Sequence, residues 1–189
     1  FHTLARVKAE TGDLEPQNRI DAESDVIACS DIITANSVVE LHELVRHYGA
    51  DPSRIEIVPP GVDHAFFSPG SRLGARQALG LGDEPVLLFV GRIQPLKGVD
   101  VAVEALLRLR DPRARMLIVG GSSGNEGDNH AAEVRDLITD RGLDHRITVV
   151  PPQPHHVLST YYRAADVTIV PSRSESFGLC LLYTSPSPR

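Results

Sequence analysis

The stretch Val86-Leu87-Leu88-Phe89-Val90-Gly91-Arg92-Ile93-Gln94-Pro95-Leu96-Lys97-Gly98 decides how this chain is read. A short apolar run ends at a glycine, a basic loop follows, and apolar residues at helical spacing begin at Val99. That order predicts a buried strand, a phosphate-facing loop and a helix, the first βα unit of a nucleotide-binding α/β domain.

The alternation continues downstream. Val99, Ala102, Val103, Leu106 and Leu109 form the inward face of the predicted helix. Met116 to Val119 reads as the next strand, Gly120 to Gly124 as a glycine-rich loop, and the residues around Val134, Leu137 and Ile138 as another helix. Ile147 to Val150 and Val167 to Val170 supply further strands. Strands alternating with helices imply a parallel sheet with right-handed crossovers, and such sheets bind ligands at the carboxyl ends of their strands. All the polar motifs of this half follow a predicted strand end.

Upstream, Phe1 to Lys8 reads as a strand end passing into a polar loop with Gly12 and Pro16 as breakers. A helix is predicted from Asn18 to about Ser30, then a short strand Ile32 to Ala35. Ser37 is placed to cap a helix with Val38, Leu41, Leu44, Val45 and Tyr48 on one face, and Gly49 to stop it. Arg54 to Val58 is a further strand, closed by Pro59-Pro60-Gly61. The Pro-, Gly- and Ser-rich piece through Ser71 reads as an interdomain connection, with a boundary near Pro69. The division expected is therefore 1–69, 70–179 and a terminal 180–189.

Composition narrows the function classes. With 189 residues and 41% hydrophobic content the chain can bury a sizeable core. A net charge of -6 gives no reason to expect nucleic acid or a membrane surface as partner, so an anion site must be a local cluster and the ligand small. No apolar run approaches the roughly 18 residues of a membrane helix. Cys29 and Cys180 lack metal-ligand spacing and suit a reduced, cytoplasmic compartment. Phe1-His2-Thr3 resembles neither a start nor a signal peptide and reads as the interior of a longer chain.

Two constellations carry chemistry. Arg92 and Lys97 flank a helix N-terminus, where two cations add to the helix dipole and free N–H groups, as a diphosphate requires. An Arg-x4-Lys pair by itself reads as two solvated cations; its place directly after a buried strand favours the anion site. The Gly120 to Gly124 loop lets a backbone approach a ligand, and a flexible turn explains it equally well. Glu175-Ser176-Phe177-Gly178-Leu179 follows the last predicted strand. Its carboxylate can bind sugar hydroxyls while the amides of Phe177, Gly178 and Leu179 hold an anion or hydroxyl; alternatively, Glu175 simply stabilises its own helix dipole.

Val90-Gly91-Arg92 with Lys97, the Gly120-Gly121 loop and Glu175-Ser176-Phe177-Gly178-Leu179 together resemble the retaining glycosyltransferases of the GT-B fold, family four. His2-Thr3-Leu4, Val7-Lys8, Glu15-Pro16 ahead of Arg19-Ile20, Ala50 to Ile55 and Pro60-Gly61-Val62-Asp63 resemble the branch that glycosylates D-inositol 3-phosphate in mycothiol biosynthesis. Parts are shared with sucrose-phosphate synthases. The resemblance implies two Rossmann-like domains whose parallel sheets face each other across a cleft, both incomplete here. Residues 1–69 would end the acceptor domain and 70–179 would form most of the donor domain.

It also implies roles. Arg92 and Lys97 match the pair that binds the donor diphosphate and neutralises the leaving group. Glu175 matches the first glutamate of an E-x7-E motif that contacts the donor sugar. Gly91, Gly121, Phe177, Gly178 and Leu179 line the donor, and Gln153 falls in the loop that meets the nucleotide base. His2 matches a histidine near the transferred sugar, while Thr3 and Arg19 match positions that hold the acceptor's phosphate. His42, His47, His64, His130, His145, His155 and His156 match nothing and read as solvated. The implied donor is a UDP sugar, UDP-GlcNAc, and the implied acceptor 1D-myo-inositol 3-phosphate. Neither metal nor cofactor is expected, Arg92 and Lys97 taking a metal's place. Oligomeric state stays open, a homodimer among the options.

The sequence also departs from the family. The second glutamate, which grips the ribose, would stand at position 183, where this chain has Tyr183. Pro186 and Pro188 cannot continue the helix expected there, so 180–189 reads as a non-native tail. With both walls incomplete, little turnover is expected from the 189 residues alone. The rival readings are a non-catalytic nucleotide-sugar binding module and a transferase of the same family with another acceptor, such as fructose 6-phosphate or a lipid-linked inositol.

Overall fold

The computed structural model describes residues 4–10, 15–122, 124–173 and 178. The chain forms two compact units that divide between Gly61 and Val62.

In the first unit, helices α1 (Ala5–Glu10) and α2 (Gln17–Cys29) precede strand β1 (Ile33–Ala35), helix α3 (Val38–Tyr48) and strand β2 (Ile55–Ile57). β1 and β2 pair in parallel, Ile33 opposite Ile55 and Ala35 opposite Ile57. This is the expected βαβ unit. Ser37 caps α3 by accepting from the Glu40 amide at 3.2 Å, and Gly49 ends it in the left-handed conformation. Leu4, Ile27, Ile33, Ala35, Leu44, Ala50 and Ile55 make the core.

One expectation fails here. The first described residues form α1 rather than a strand end passing into a loop. The reason is tertiary: Glu23 of α2 accepts from the Ala5 amide at 2.8 Å and so satisfies a free N–H at the start of the helix.

The second unit contains α4 (Arg72–Ala78), β3 (Val86–Val90), α5 (Val99–Arg108), β4 (Arg115–Val119), α6 (Gly124–Asp140), β5 (Ile147–Val150), α7 (His155–Ala164) and β6 (Val167–Thr168). The sheet runs β5-β4-β3-β6 with all three pairings parallel. Side chains alternate along β3 and β4 to feed two cores. Leu87, Phe89, Met116 and Ile118 pack with α5 and α6, while Val86, Leu88, Leu117 and Val119 pack with Leu158 and Tyr162 of α7. Sandwiching by helices on both faces explains why β3 is a continuous apolar run rather than an alternating one. Burial of each such aliphatic side chain contributes roughly 1.5–3 kcal/mol.

Other differences follow from long-range contacts. No element is expected from the sequence where α4 forms, directly after the Pro- and Gly-rich segment. Ser71 caps it at 3.0 Å, and buried Arg76 ties it to the Ala164, Gly82 and Glu84 carbonyls and to Asp166, whose carboxylate also accepts from the Val86 amide. Phe66 and Phe67 set their rings against His156, His155 and Tyr162, so the chain joins the second unit well before Pro69. Leu109 lies past the end of α5 in extended conformation, 42% exposed instead of inward. Gly124 opens α6 instead of ending a loop. His130 is not solvated: it is buried in α6 with Nδ1 3.0 Å from Glu133.

Candidate functional site

Three strand ends of the second unit are joined backbone to backbone. The Gly91 amide donates to the Val119 carbonyl at 3.1 Å, the Gly120 amide to Val150 at 2.9 Å, and the Ile93 amide to Gly121 at 2.9 Å. The loops after β3, β4 and β5 therefore form one surface at the carboxyl edge of the sheet. This is where an open parallel sheet receives a ligand. The spacing is tight enough that a Cβ on Gly120 would collide with the Gly91 carbonyl oxygen. Glycine at 120 thus serves loop packing, whatever it does for a ligand.

At this edge Arg92 precedes, and Lys97 ends, a single 3-10 turn, Pro95–Lys97. Arg92 is exposed and, among the described residues, enters no ion pair. Lys97 is half-buried at the end of the turn. Ile93 between them is 5% exposed and packs into the core below, which fixes Arg92 on the outer side. Gly98 adopts φ 66, a left-handed conformation that favours glycine, and passes directly into α5. The result is an unneutralised guanidinium and an ammonium beside a helix N-terminus, a combination suited to a diphosphate.

Other residues of the predicted site are distributed unevenly. Gly121 lies against the Pro152 ring on the same edge. Gln153 follows β5, half-buried, with its side-chain amide donating to the Pro151 carbonyl at 2.9 Å. Gly178 is buried with φ 73. His2, Thr3, Glu175, Phe177 and Leu179 lie outside the described residues.

Arg19, in the first unit, stands in a dense polar cluster. Its Nη1 meets Glu15 Oε2 at 2.7 Å and its Nε meets Glu23 Oε1 at 3.1 Å. Lys8 reaches the other oxygen of Glu15 at 2.9 Å, and the Tyr48 hydroxyl donates to Glu23 Oε2 at 2.6 Å. Both glutamates are more than nine-tenths buried. Burial alone would raise the Glu15 pKa, but Lys8 and Arg19 outweigh it and hold the carboxyl below its ordinary value. Burial and the hydrogen bond to Glu23 push the Tyr48 hydroxyl up to about 12. The i, i+4 spacing of Glu15, Arg19 and Glu23 was visible in the sequence; that Tyr48 and Ala5 close the cluster was not.

In the second unit, Arg173 joins the carboxyl edge of the sheet. Its backbone and side chain both bind the Pro95–Lys97 turn, and its Nη2 meets Asp100 Oδ2 at 2.7 Å. Among the described residues no helix is long and apolar enough to cross a membrane, and no group of His, Cys, Asp or Glu gathers in a metal-holding arrangement.

Comparison with known proteins agrees with the folded arrangement. The family model described as "Glycosyl transferases group 1" matches residues 72–182. The D-inositol 3-phosphate glycosyltransferase of Acidothermus cellulolyticus is 46% identical over 193 aligned positions, covering 96% of this chain and 43% of the relative. The chain thus spans less than half the length of that relative. Among solved structures, the sucrose-phosphate synthase of Thermosynechococcus elongatus superposes with a TM-score of 0.86 at 29% identity, over 97% of this chain and 46% of the other. HepE of Anabaena, solved with UDP and glucose, gives 0.82 at 19% identity over 97% of this chain and 48% of its own, a likeness of fold. With its α/β units of parallel strands and a family match over more than half its residues, the chain belongs to the group 1 glycosyl transferases of the GT-B fold.

Proposed function

We propose that this chain is part of a retaining hexosyltransferase that moves a sugar from a UDP sugar, UDP-GlcNAc, to 1D-myo-inositol 3-phosphate in the cytoplasm. The observation that carries the donor half is Arg92, exposed and without an ion-pair partner among the described residues, beside Lys97 at the carboxyl edge of the sheet. The acceptor half rests on the 46% identical relative named for D-inositol 3-phosphate.

In this reading Arg92 and Lys97 hold the diphosphate and stabilise the charge that develops on it as the glycosidic bond breaks. Gly91 and Gly121 let the backbone come close to the donor. Gln153 meets the base, Glu175 and the amides of Phe177, Gly178 and Leu179 hold the sugar and phosphate, and His2 stands near the transferred sugar. Thr3 and Arg19 take the acceptor's phosphate. The leaving diphosphate assists deprotonation of the acceptor hydroxyl on the face it departs from, which gives retention, and the protein's own contribution is positioning and electrostatics.

A second reading, transfer to fructose 6-phosphate, is favoured by the 29% identical sucrose-phosphate synthase. The test is transfer from UDP-GlcNAc and UDP-glucose to each phosphate acceptor by the full-length protein, with calorimetric titration of UDP into the 189-residue chain. Product with inositol phosphate supports the first reading, and product with fructose 6-phosphate the second. Nucleotide binding without any transfer favours a binding module.

A further inference from the structure

Arg173 fastens the loop that follows β6 to the Pro95–Lys97 turn. The Arg173 amide donates to the Leu96 carbonyl at 2.8 Å, and its Nη1 donates to the Pro95 carbonyl. Its Nη2 lies 2.7 Å from Asp100 Oδ2 and its Nη1 3.3 Å from Asp100 Oδ1, so the guanidinium spans from the turn to the first turn of α5. A second contact closes the same seam: Gly98, at φ 66, sits so close to the Pro171 carbonyl that a Cβ there would collide with it. Pro95, Leu96 and Gly98 are thereby gripped from the 171–173 side, in addition to the turn's own backbone bonds from Lys97 to Gln94 at 3.0 Å and from Gly98 to Pro95 at 3.2 Å.

Asp100 belongs to this clamp. The hydrogen bond from Arg173 holds its carboxyl below the ordinary value, so the pair is charged on both sides at neutral pH. With its guanidinium engaged by Asp100 and the Pro95 carbonyl, Arg173 acts on a ligand through the turn it holds.

We propose that Arg173 is a positioning residue: by clamping the Pro95–Lys97 turn it fixes where Lys97 stands relative to Arg92, and so sets the grip on the donor's second phosphate. This rests on the donor reading of Arg92 and Lys97. A turn that is already in place loses less freedom when it closes on a ligand, so its loss is felt where Lys97 acts and not at the base or the first phosphate.

UDP and UMP separate these effects, because only UDP carries the phosphate in question. In calorimetric titrations of the full chain, Arg173→Ala is expected to weaken UDP about tenfold and UMP less than about twofold. Asp100→Asn is expected to weaken UDP about threefold, and Arg173→Lys, which keeps a charge for Asp100, to recover part of the loss. Hydrogen exchange of the Lys97 and Gly98 amides should rise in Arg173→Ala. Equal loss toward both nucleotides, or no loss toward either, overturns the positioning role. Failure of the wild-type chain to bind UDP or UMP overturns the donor reading and the role built on it; faster exchange at Lys97 and Gly98 would then leave Arg173 as a structural clamp only.

Discussion

Arg19 and Arg92 are the two arginines that the family resemblance matches to phosphate-holding positions, one in each unit, and the fold treats them in opposite ways. Arg19 lies between two buried carboxylates, Glu15 at 2.7 Å and Glu23 at 3.1 Å. Arg92 stands exposed beyond a buried isoleucine with no such partner among the described residues. The first is part of the scaffold whatever it binds, since its charge joins Lys8, Tyr48 and the Ala5 amide in satisfying the Glu15 and Glu23 carboxylates. The second adds nothing to the scaffold, and its charge is available to a ligand. Residue type and position in a motif do not distinguish these cases; the neighbours do.

Removing each arginine in turn has the largest expected effects. Arg19→Ala leaves Glu15 and Glu23 buried with one cation fewer, and is expected to destabilise the first unit by about 3 kcal/mol. Hydrogen exchange of α1 and α2 amides during urea unfolding reads that loss unit by unit; protection equal to the wild type would show that Lys8 and Tyr48 suffice. Glu23→Gln is the next largest effect, about 2 kcal/mol, because an amide presents donors toward groups that already donate: the Ala5 amide, the Tyr48 hydroxyl and Arg19. Arg92→Ala should shift stability by no more than about 0.5 kcal/mol while weakening UDP about tenfold, the mirror image of Arg19→Ala. A UDP affinity unchanged in that variant would remove the distinction drawn here.

The same contrast explains what the sequence revealed and what it hid. Features set by local chemistry were legible: the apolar run of β3, the Ser37 cap and Gly49 stop of α3, and the glycines and cations at the sheet's carboxyl edge. Features set by partners far along the chain were not. α1 starts where Glu23 reaches Ala5, α4 is held by Arg76 against Asp166, and the Pro95–Lys97 turn is clamped by Arg173. Each is a polar contact between segments far apart in the chain, buried at Glu23 and Arg76 and exposed at Arg173. Arg173 in particular reads as a surface cation until Pro95, Leu96 and Asp100 are seen beside it. His130 fails in the same way, since its burial depends on how α6 lies on the core and not on its neighbours in sequence.

Acid sharpens the comparison with the smallest change. Glu15 has its carboxyl held below its ordinary value of 4.5, burial being outweighed by Lys8 and Arg19. A carboxyl more acidic in the folded than in the unfolded chain contributes stability above the unfolded value and loses it as the pH falls through the folded one. The first unit is therefore expected to weaken below about pH 4.5, with α1 and α2 losing exchange protection together because both are tied through Glu15 and Glu23. Glu15→Gln should begin less stable at pH 6 and show a shallower decline toward pH 3, since the titrating group is gone. Arg92→Ala should leave the acid profile where it is, because no carboxylate among the described residues depends on Arg92. A shift of the acid limb in Arg92→Ala, or an unchanged slope in Glu15→Gln, would mean that the two arginines are less different than their surroundings make them.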